Sequence, residues 1–233
     1  MDGLRFKDLS KDGEPHPYED WRLPSKERAK DLASRMSVEQ IAGLMLYSPH
    51  QAVPATFGFF PATYGGKSYE ESGTEAADLT DQQKAFLEAD HVRHVLVTAV
   101  ESPAAAATWN NRLQAAAEAA SLGIPVNIST DPRHGTDSSA EYNAGSGGAI
   151  SMWPEALGLA ATFDPAVAER FGEVAAKEYR ALGIATALSP QVDIATDPRW
   201  SRFNGLRRGR RSAAGDKGAG ADAAQGLYCC NCK

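Results

Sequence analysis

Apolar positions along this chain alternate between two spacings, and the switch recurs. A polar, turn-rich stretch over residues 1–24 closes at Pro24. Ser25 is then placed to cap a helix running through Lys26-Glu27-Arg28 to Met36. Ser37 and Gln40 stand at capping-box spacing for a second helix, with Ile41, Leu44 and Met45 on one face. Residues 48–80, broken by Pro54, Pro61 and Gly65-Gly66, read as loop. A helix near 81–91 precedes the apolar run Val95-Leu96-Val97-Thr98-Ala99-Val100, which has strand length. An Ala-rich helix from Ser102 to Ser121 stops at Gly123, a residue favoured just past a helix end. Ile124-Pro125-Val126-Asn127-Ile128-Ser129 reads as the next strand, and a long loop follows to about 153. Asp164-Pro165 opens another helix, which ends near Gly183 and feeds a strand over 184–188.

Strands that alternate with helices build βαβ units and a parallel sheet, so the fold class is α/β. Such folds carry their polar groups on the loops after each strand. Asp131 to His134 follow one strand here, and Asp193 to Arg202 follow another. Three or four βα units precede residue 206, where a closed (β/α)8 barrel needs eight. The expected architecture is the incomplete first half of a TIM-type barrel.

The composition, 42% hydrophobic and 23% charged over 233 residues, is that of a globular chain able to bury a core. No apolar run approaches the ~20 residues that span a bilayer, so no membrane partner is expected. Residues 1–8 contain no apolar stretch of a secretory signal, so a cytoplasmic chain is expected unless a leader has been removed. Net charge is −6, unevenly spread. Residues 206–233 hold six Lys+Arg and two Asp+Glu, leaving 18 basic against 28 acidic residues elsewhere. An acidic body excludes nucleic acid, whose phosphates demand Lys and Arg, and suits a neutral ligand such as a sugar.

Two loops could carry chemistry. In Ser129-Thr130-Asp131-Pro132-Arg133-His134-Gly135 a carboxylate can grip hydroxyls with Arg133 and His134 beside it; the alternative is an ordinary Asp-Pro turn. In Asp193-Ile194-Ala195-Thr196-Asp197-Pro198-Arg199-Trp200-Ser201-Arg202 the guanidinium forks can donate several hydrogen bonds and Trp200 offers a flat apolar face. The alternative is a surface turn with a packed Trp and solvated arginines. Asp8, Ser10, Asp12, Gly13 and Glu19 match the twelve-residue calcium-loop spacing, although Pro15 occupies a position that is usually aliphatic. The alternative there is a polar turn. Cys229, Cys230 and Cys232 form a cluster with no second Cys or His group to complete a zinc site. No metal or cofactor is expected.

Taken in order, Asp131 with His134-Gly135, the segment Pro154-Glu155-Ala156-Leu157-Gly158-Leu159-Ala160-Ala161-Thr162-Phe163-Asp164, and Asp197-Pro198-Arg199-Trp200-Ser201-Arg202 resemble glycoside hydrolase family 3. The likeness is to its N-terminal barrel domain, β-glucosidase type, and covers about residues 18–205, including Met36-Ser37-Val38-Glu39-Gln40. It implies a retaining glycosidase of carbohydrate metabolism acting on a β-linked glycoside or oligosaccharide, with β-xylosidase and β-N-acetylhexosaminidase as the other enzyme readings. It assigns substrate binding to Asp131 and Arg202, with Arg199 as the weaker counterpart, and gives His134 a loop-ordering part. In the family the nucleophilic aspartate follows a Lys-His pair on a later strand, and the acid/base comes further on. No Lys-His occurs in these 233 residues. The chain is therefore expected to lack catalytic residues and to be inactive alone; a non-catalytic carbohydrate-binding or interaction fragment is the alternative.

The composition changes at Leu206, so the expected units are a polar segment 1–24, a partial barrel 25–205 and a tail 206–233 without a packed core. Family members commonly continue with Thr-Phe-Gly-Glu-Asp. In GC-rich codons that reads ACC TTC GGC GAG GAC GC, and from its third base the triplets CTT CGG CGA GGA CGC encode Leu-Arg-Arg-Gly-Arg. Those are residues 206–210. The tail thus reads as a shifted frame ending at an accidental stop, with a natural Gly/Ala-rich tail as the alternative.

Overall fold

A computed structural model describes residues 3–56, 62–136, 150–188 and Arg199. The helices are α1 (Ser25–Arg35), α2 (Val38–Leu44), α3 (Tyr69–Ser72), α4 (Asp81–Glu88), α5 (Pro103–Ala119), α6 (Ala156–Ala161) and α7 (Pro165–Ala181). Four strands, β1 (Gln51–Val53), β2 (His94–Val100), β3 (Asn127–Thr130) and β4 (Thr186–Ala187), form one sheet in the order β1-β2-β3-β4. Every neighbouring pair is parallel, in the registers Gln51↔Val97, His94↔Asn127 and Ser129↔Thr186. This is the expected α/β half-barrel: strands in chain order, with helices between them.

The local signals explain most of the elements. Ser37 Oγ accepts from the Gln40 amide while Gln40 Oε1 accepts from the Ser37 amide, the reciprocal box that starts α2. Thr80 and Gln83 repeat it at α4. Ser102 caps α5 and Asp164 caps α7, each followed by a Pro that needs no amide partner there. At α1 the capping residue is Pro24 and Ser25 lies inside the helix, without a side-chain cap.

Strand β1 corrects the reading of 48–80 as loop. Three residues between Pro49 and Pro54 show no periodicity, and pairing with β2 is what makes them a strand. Gln51 secures it: its carbonyl accepts from Thr98 Oγ1 at 3.0 Å, and its Oε1 accepts from Gln83 Nε2 at 3.0 Å. Gln83 Oε1 in turn accepts from the Trp109 indole at 3.2 Å. One buried amide therefore joins α4, α5 and β1 with its hydrogen-bonding groups matched.

The core lies between the sheet and the helices, built from Val95, Val97, Ile128 and Ala187 against Leu87, Trp109, Leu113, Ala175 and Tyr179. The opposite face of the sheet is polar. Tyr47 stacks on His94 with ring centroids 6.3 Å apart and hydrogen-bonds Ser129 through its hydroxyl. Asn127 Nδ2 meets His94 Nδ1 at 3.3 Å, and Thr186 Oγ1 donates to Asn127 Oδ1 at 2.9 Å. Helix α2 is less well covered: Val38 is 76% and Met45 83% exposed, and Ile41 is also exposed. Its apolar face exists, as expected, but nothing among the described residues buries it.

Candidate functional site

Strand β3 ends at Thr130, which is fully buried, and the chain turns through Asp131-Pro132 into Arg133 and His134. This puts Asp131 at the carboxyl end of a parallel strand, where such sheets present their working groups. Asp131 is partly buried, and among the described residues no hydrogen bond reaches its carboxylate. The side chain beside it is fully committed inward.

Arg133 is 2% exposed. Its Nε donates to Thr130 Oγ1 at 2.8 Å and its Nη2 to the Val97 carbonyl at 3.0 Å. Its amide donates to the Tyr179 hydroxyl at 3.2 Å. Burial lowers the guanidinium to about 10, with the Tyr179 hydroxyl and Asp131 opposing that shift. It remains charged at neutral pH. Arg133 thus serves the fold beneath the loop rather than standing beside a ligand.

His134 faces α7. Its Nε2 lies 2.7 Å from Glu178 Oε2, and its ring meets Tyr179 and Phe171 edge-on, at centroid distances of 4.8 and 5.9 Å. Burial pushes the imidazole below its ordinary pKa, with the Glu178 carboxylate pulling partly back. The geometry alone would count the pair as a salt bridge; the lowered pKa makes it a neutral imidazole at pH 7. Because a carboxylate only accepts, Nε2 carries the proton. Glu178 also accepts from Ser151 Oγ at 2.9 Å and from the Ser151 amide at 3.2 Å. The Trp153 indole donates to Ser151 Oγ at 3.0 Å, and its amide to the His134 carbonyl at 2.8 Å.

Glu178, Tyr179 and Ser151 carried no chemistry in the sequence reading. A signal was available: Ala175, Glu178, Tyr179 and Leu182 share one helical stripe, and a carboxylate on an otherwise buried stripe calls for a partner.

Arg199 lies in a turn and is exposed. Arg202 and Trp200, with Asp193 to Pro198, lie outside the described residues, as does the tail 206–233. The structure therefore gives geometry for one end of the expected sugar-binding set.

The calcium-loop spacing folds as a self-satisfied polar turn. Glu19 Oε1 accepts from the amides of Leu9 and Ser10 at 2.7 and 2.8 Å, and its Oε2 from that of His16 at 2.9 Å. Burial alone would raise the Glu19 pKa, but these amides outweigh it and hold the carboxylate below its usual range. Asp8 accepts from the amides of Lys11 and Gly13 at 2.6 and 3.0 Å. The side-chain hydrogen bond to His16 is the main cause holding Asp12 down to about 2. Among the described residues no group of three or more His, Cys, Asp or Glu is arranged to hold a metal ion. A cleft of about 370 Å³ beside Tyr64, Asp78, Lys84 and Arg112 shares no residue with the Asp131 loop. Ion pairs from Arg112 to Glu75, at 2.5 Å, and to Asp78 take up the charge there.

Comparison with known proteins decides the family. The Glycosyl hydrolase family 3 N terminal domain matches residues 30–207. The chain belongs to glycosyl hydrolase family 3. It is 43% identical over 207 residues to a periplasmic beta-glucosidase/beta-xylosidase of Dickeya chrysanthemi, covering 88% of this chain and 29% of that protein. It is 38% identical over 185 residues to beta-glucosidase C of Emericella nidulans, covering 77% of this chain and 26% of that protein. The chain thus spans less than a third of the length of these relatives. A solved beta-N-acetylhexosaminidase from Beutenbergia cavernae aligns at 25% identity and a TM-score of 0.46, over 67% of this chain and 38% of that one. The periplasmic Dickeya relative overturns the cytoplasmic expectation, which had rested on the composition of residues 1–8. No helix among the described residues is long and apolar enough to cross a membrane.

Proposed function

We propose that this chain is the front half of the catalytic barrel of a β-glucosidase-type enzyme that works outside the cytoplasm, and that Asp131 grips hydroxyls of the sugar bound at the cleavage point. The observation that carries the reading is a partly buried carboxylate at the carboxyl end of β3 that accepts no hydrogen bond among the described residues. A carboxylate so placed can accept two hydroxyl hydrogen bonds at once, each charge-assisted and about twice as strong as a neutral one. Arg202, and less directly Arg199, would donate to the same sugar from the segment after β4.

On this reading the reaction proceeds with retention. One carboxylate attacks the anomeric carbon while an acid protonates the leaving oxygen, the two about 5–5.5 Å apart. Neither group is among residues 1–205, because Asp131 is engaged in binding and the Lys-His pair that precedes the nucleophile is missing. These 233 residues bind without turning over. Residues 206–233 are the out-of-frame product of the same gene, a reading supported by the five-residue codon match at 206–210. β-Glucoside is the favoured substrate class and β-xyloside the second, since the Dickeya relative's name carries both.

Calorimetric titration of the full chain with glucose and with a non-hydrolysable β-glucoside tests the binding half of the proposal. Saturable binding that Asp131→Ala abolishes, with no sugar released from a chromogenic β-glucoside, is the expected result. Turnover by the purified chain, or binding indifferent to Asp131→Ala, overturns it. Sequencing the encoding DNA across codon 206 tests the tail: another frame should open with Thr-Phe-Gly-Glu-Asp.

A further inference from the structure

One carboxylate ties together three parts of the chain around Asp131, and nothing in the proposed binding role accounts for it. Glu178 sits near the end of α7. It receives three hydrogen-bond donors: His134 Nε2 at 2.7 Å, Ser151 Oγ at 2.9 Å and the Ser151 amide at 3.2 Å. His134 comes three residues after Asp131, on the same turn. Ser151 follows residues 137–149 in the sequence, and its Oγ also accepts the Trp153 indole at 3.0 Å. The Trp153 amide closes the ring by donating to the His134 carbonyl at 2.8 Å. The histidine is shielded: its side chain is 2% exposed against 28% for Glu178, and Phe171 packs against both the His134 and Trp153 rings.

We propose that Glu178 is a positioning residue for the sugar site, holding His134 and Ser151 together and so fixing the direction in which Asp131 points. The role rests on the reading of Asp131 as the sugar-gripping carboxylate. Three donors converge on two oxygens, so the site demands a group that only accepts. A carboxylate meets that demand. A carboxamide of the same shape brings one NH2, which must face a donor, and one strut is lost without any change of volume. Beneath it, the turn from Thr130 to Arg133 is held by other contacts: the Arg133 side chain, the Thr130 hydroxyl donating to the Asp131 carbonyl at 2.9 Å, and the Arg133 amide donating to the Tyr179 hydroxyl at 3.2 Å. Loss of the Glu178 strut therefore acts on the orientation of Asp131 more than on the core beneath it.

The test uses the full chain, with glucose as the probe, and four variants: Asp131→Ala, Glu178→Gln, Ser151→Ala and the double change Glu178→Gln with Ser151→Ala. Each is measured by calorimetry, by urea unfolding and by the nitrogen NMR shifts of the His134 ring. The expected result for Glu178→Gln is a folded protein with glucose affinity about tenfold weaker, the scale of one lost net hydrogen bond. The His134 shifts should leave the pure Nε2–H pattern. Ser151→Ala should weaken affinity by a smaller factor, and the double variant should bind no worse than Glu178→Gln, because the two residues act as one strut.

The outcomes separate. If Asp131→Ala binds glucose as tightly as the unaltered chain, or neither binds, the Asp131 reading falls and the positioning role falls with it. If Asp131→Ala loses binding while Glu178→Gln keeps it, only the positioning role is overturned. If Glu178→Gln does not fold, Ser151→Ala decides: unchanged glucose affinity overturns the role. Additive losses in the double variant overturn it as well.

Discussion

Arg133 Nη2 donates to the carbonyl of Val97 at 3.0 Å, so a charged side chain from the loop after β3 is anchored in the middle of β2. Its Nε takes Thr130 Oγ1 at 2.8 Å from the same buried position. The guanidinium acts as an internal brace between two strands. Arg133→Met keeps the bulk but orphans two buried acceptors, which should cost about 2 kcal/mol after the relief of arginine desolvation is counted. Arg133→Lys keeps the charge and loses the fork, and should also destabilise. Urea unfolding midpoints check both, and a midpoint unmoved in Arg133→Met contradicts the brace.

Acid should act on the fold in two stages. Burial lowers the His134 pKa below 6.5, so the folded state resists protonation while the unfolded state accepts it. Stability is full above about pH 6.5 and falls as the pH drops from there toward the folded value, because unfolding then takes up a proton. The carboxylates held low by hydrogen bonds, Glu19, Asp31 and Asp81 among them, add a second loss below about pH 4.5. A stability-against-pH series on the chain and on His134→Gln should show the upper stage vanish in the variant. Equal upper stages in both would assign it to another group.

Trp109 is 2% exposed at the centre of the helix-to-sheet core. Trp109→Ala should cost about 3–5 kcal/mol, by the lost transfer energy and the cavity left behind. It also frees Gln83 Oε1 from one donor. Trp109→Phe should cost less, since most of the volume stays. Thermal unfolding followed by circular dichroism orders the two, and the reverse order would deny Trp109 its place in the core.

Helix α2 presents Val38, Ile41 and Met45 to solvent at i, i+3 and i+7. A contiguous apolar stripe of this kind promotes association, and among the described residues no strand pairs with the outer edges of β1 and β4. Val38→Lys with Met45→Lys should lower light scattering at a given concentration while leaving the unfolding midpoint nearly unchanged. Scattering equal to that of the unaltered chain would place the sticky surface elsewhere.

The longer helices were legible because their signals are local, whereas the short α3 lies in the stretch read as loop and α6 was not expected. Ser37 with Gln40, Ser102 before Pro103 and Asp164 before Pro165 each satisfy orphan amides within a few residues, so the boundaries could be read without a partner in space. Strand β1 was not legible: a three-residue strand between prolines exists only because β2 and Gln83 are there to meet it. The site divides the same way. Asp131 stood out as a carboxylate just after an apolar strand, and Arg133 beside it looked equally available until packing turned it inward. Glu178 is 47 positions from Asp131, and no local pattern connects them.

By itself, then, the sequence determined the order of the longer helices and of strands β2 to β4, the α/β class, the family and the loop that holds Asp131, all carried by short-range periodicity, capping and motif spacing. Only the tertiary structure decided that Arg133 braces β2, that His134 is a neutral donor to Glu178, and that the calcium-like spacing closes on its own amides. Those outcomes depend on which groups are desolvated together. A buried donor must find an acceptor wherever the fold brings one, and that choice is made across space rather than along the chain.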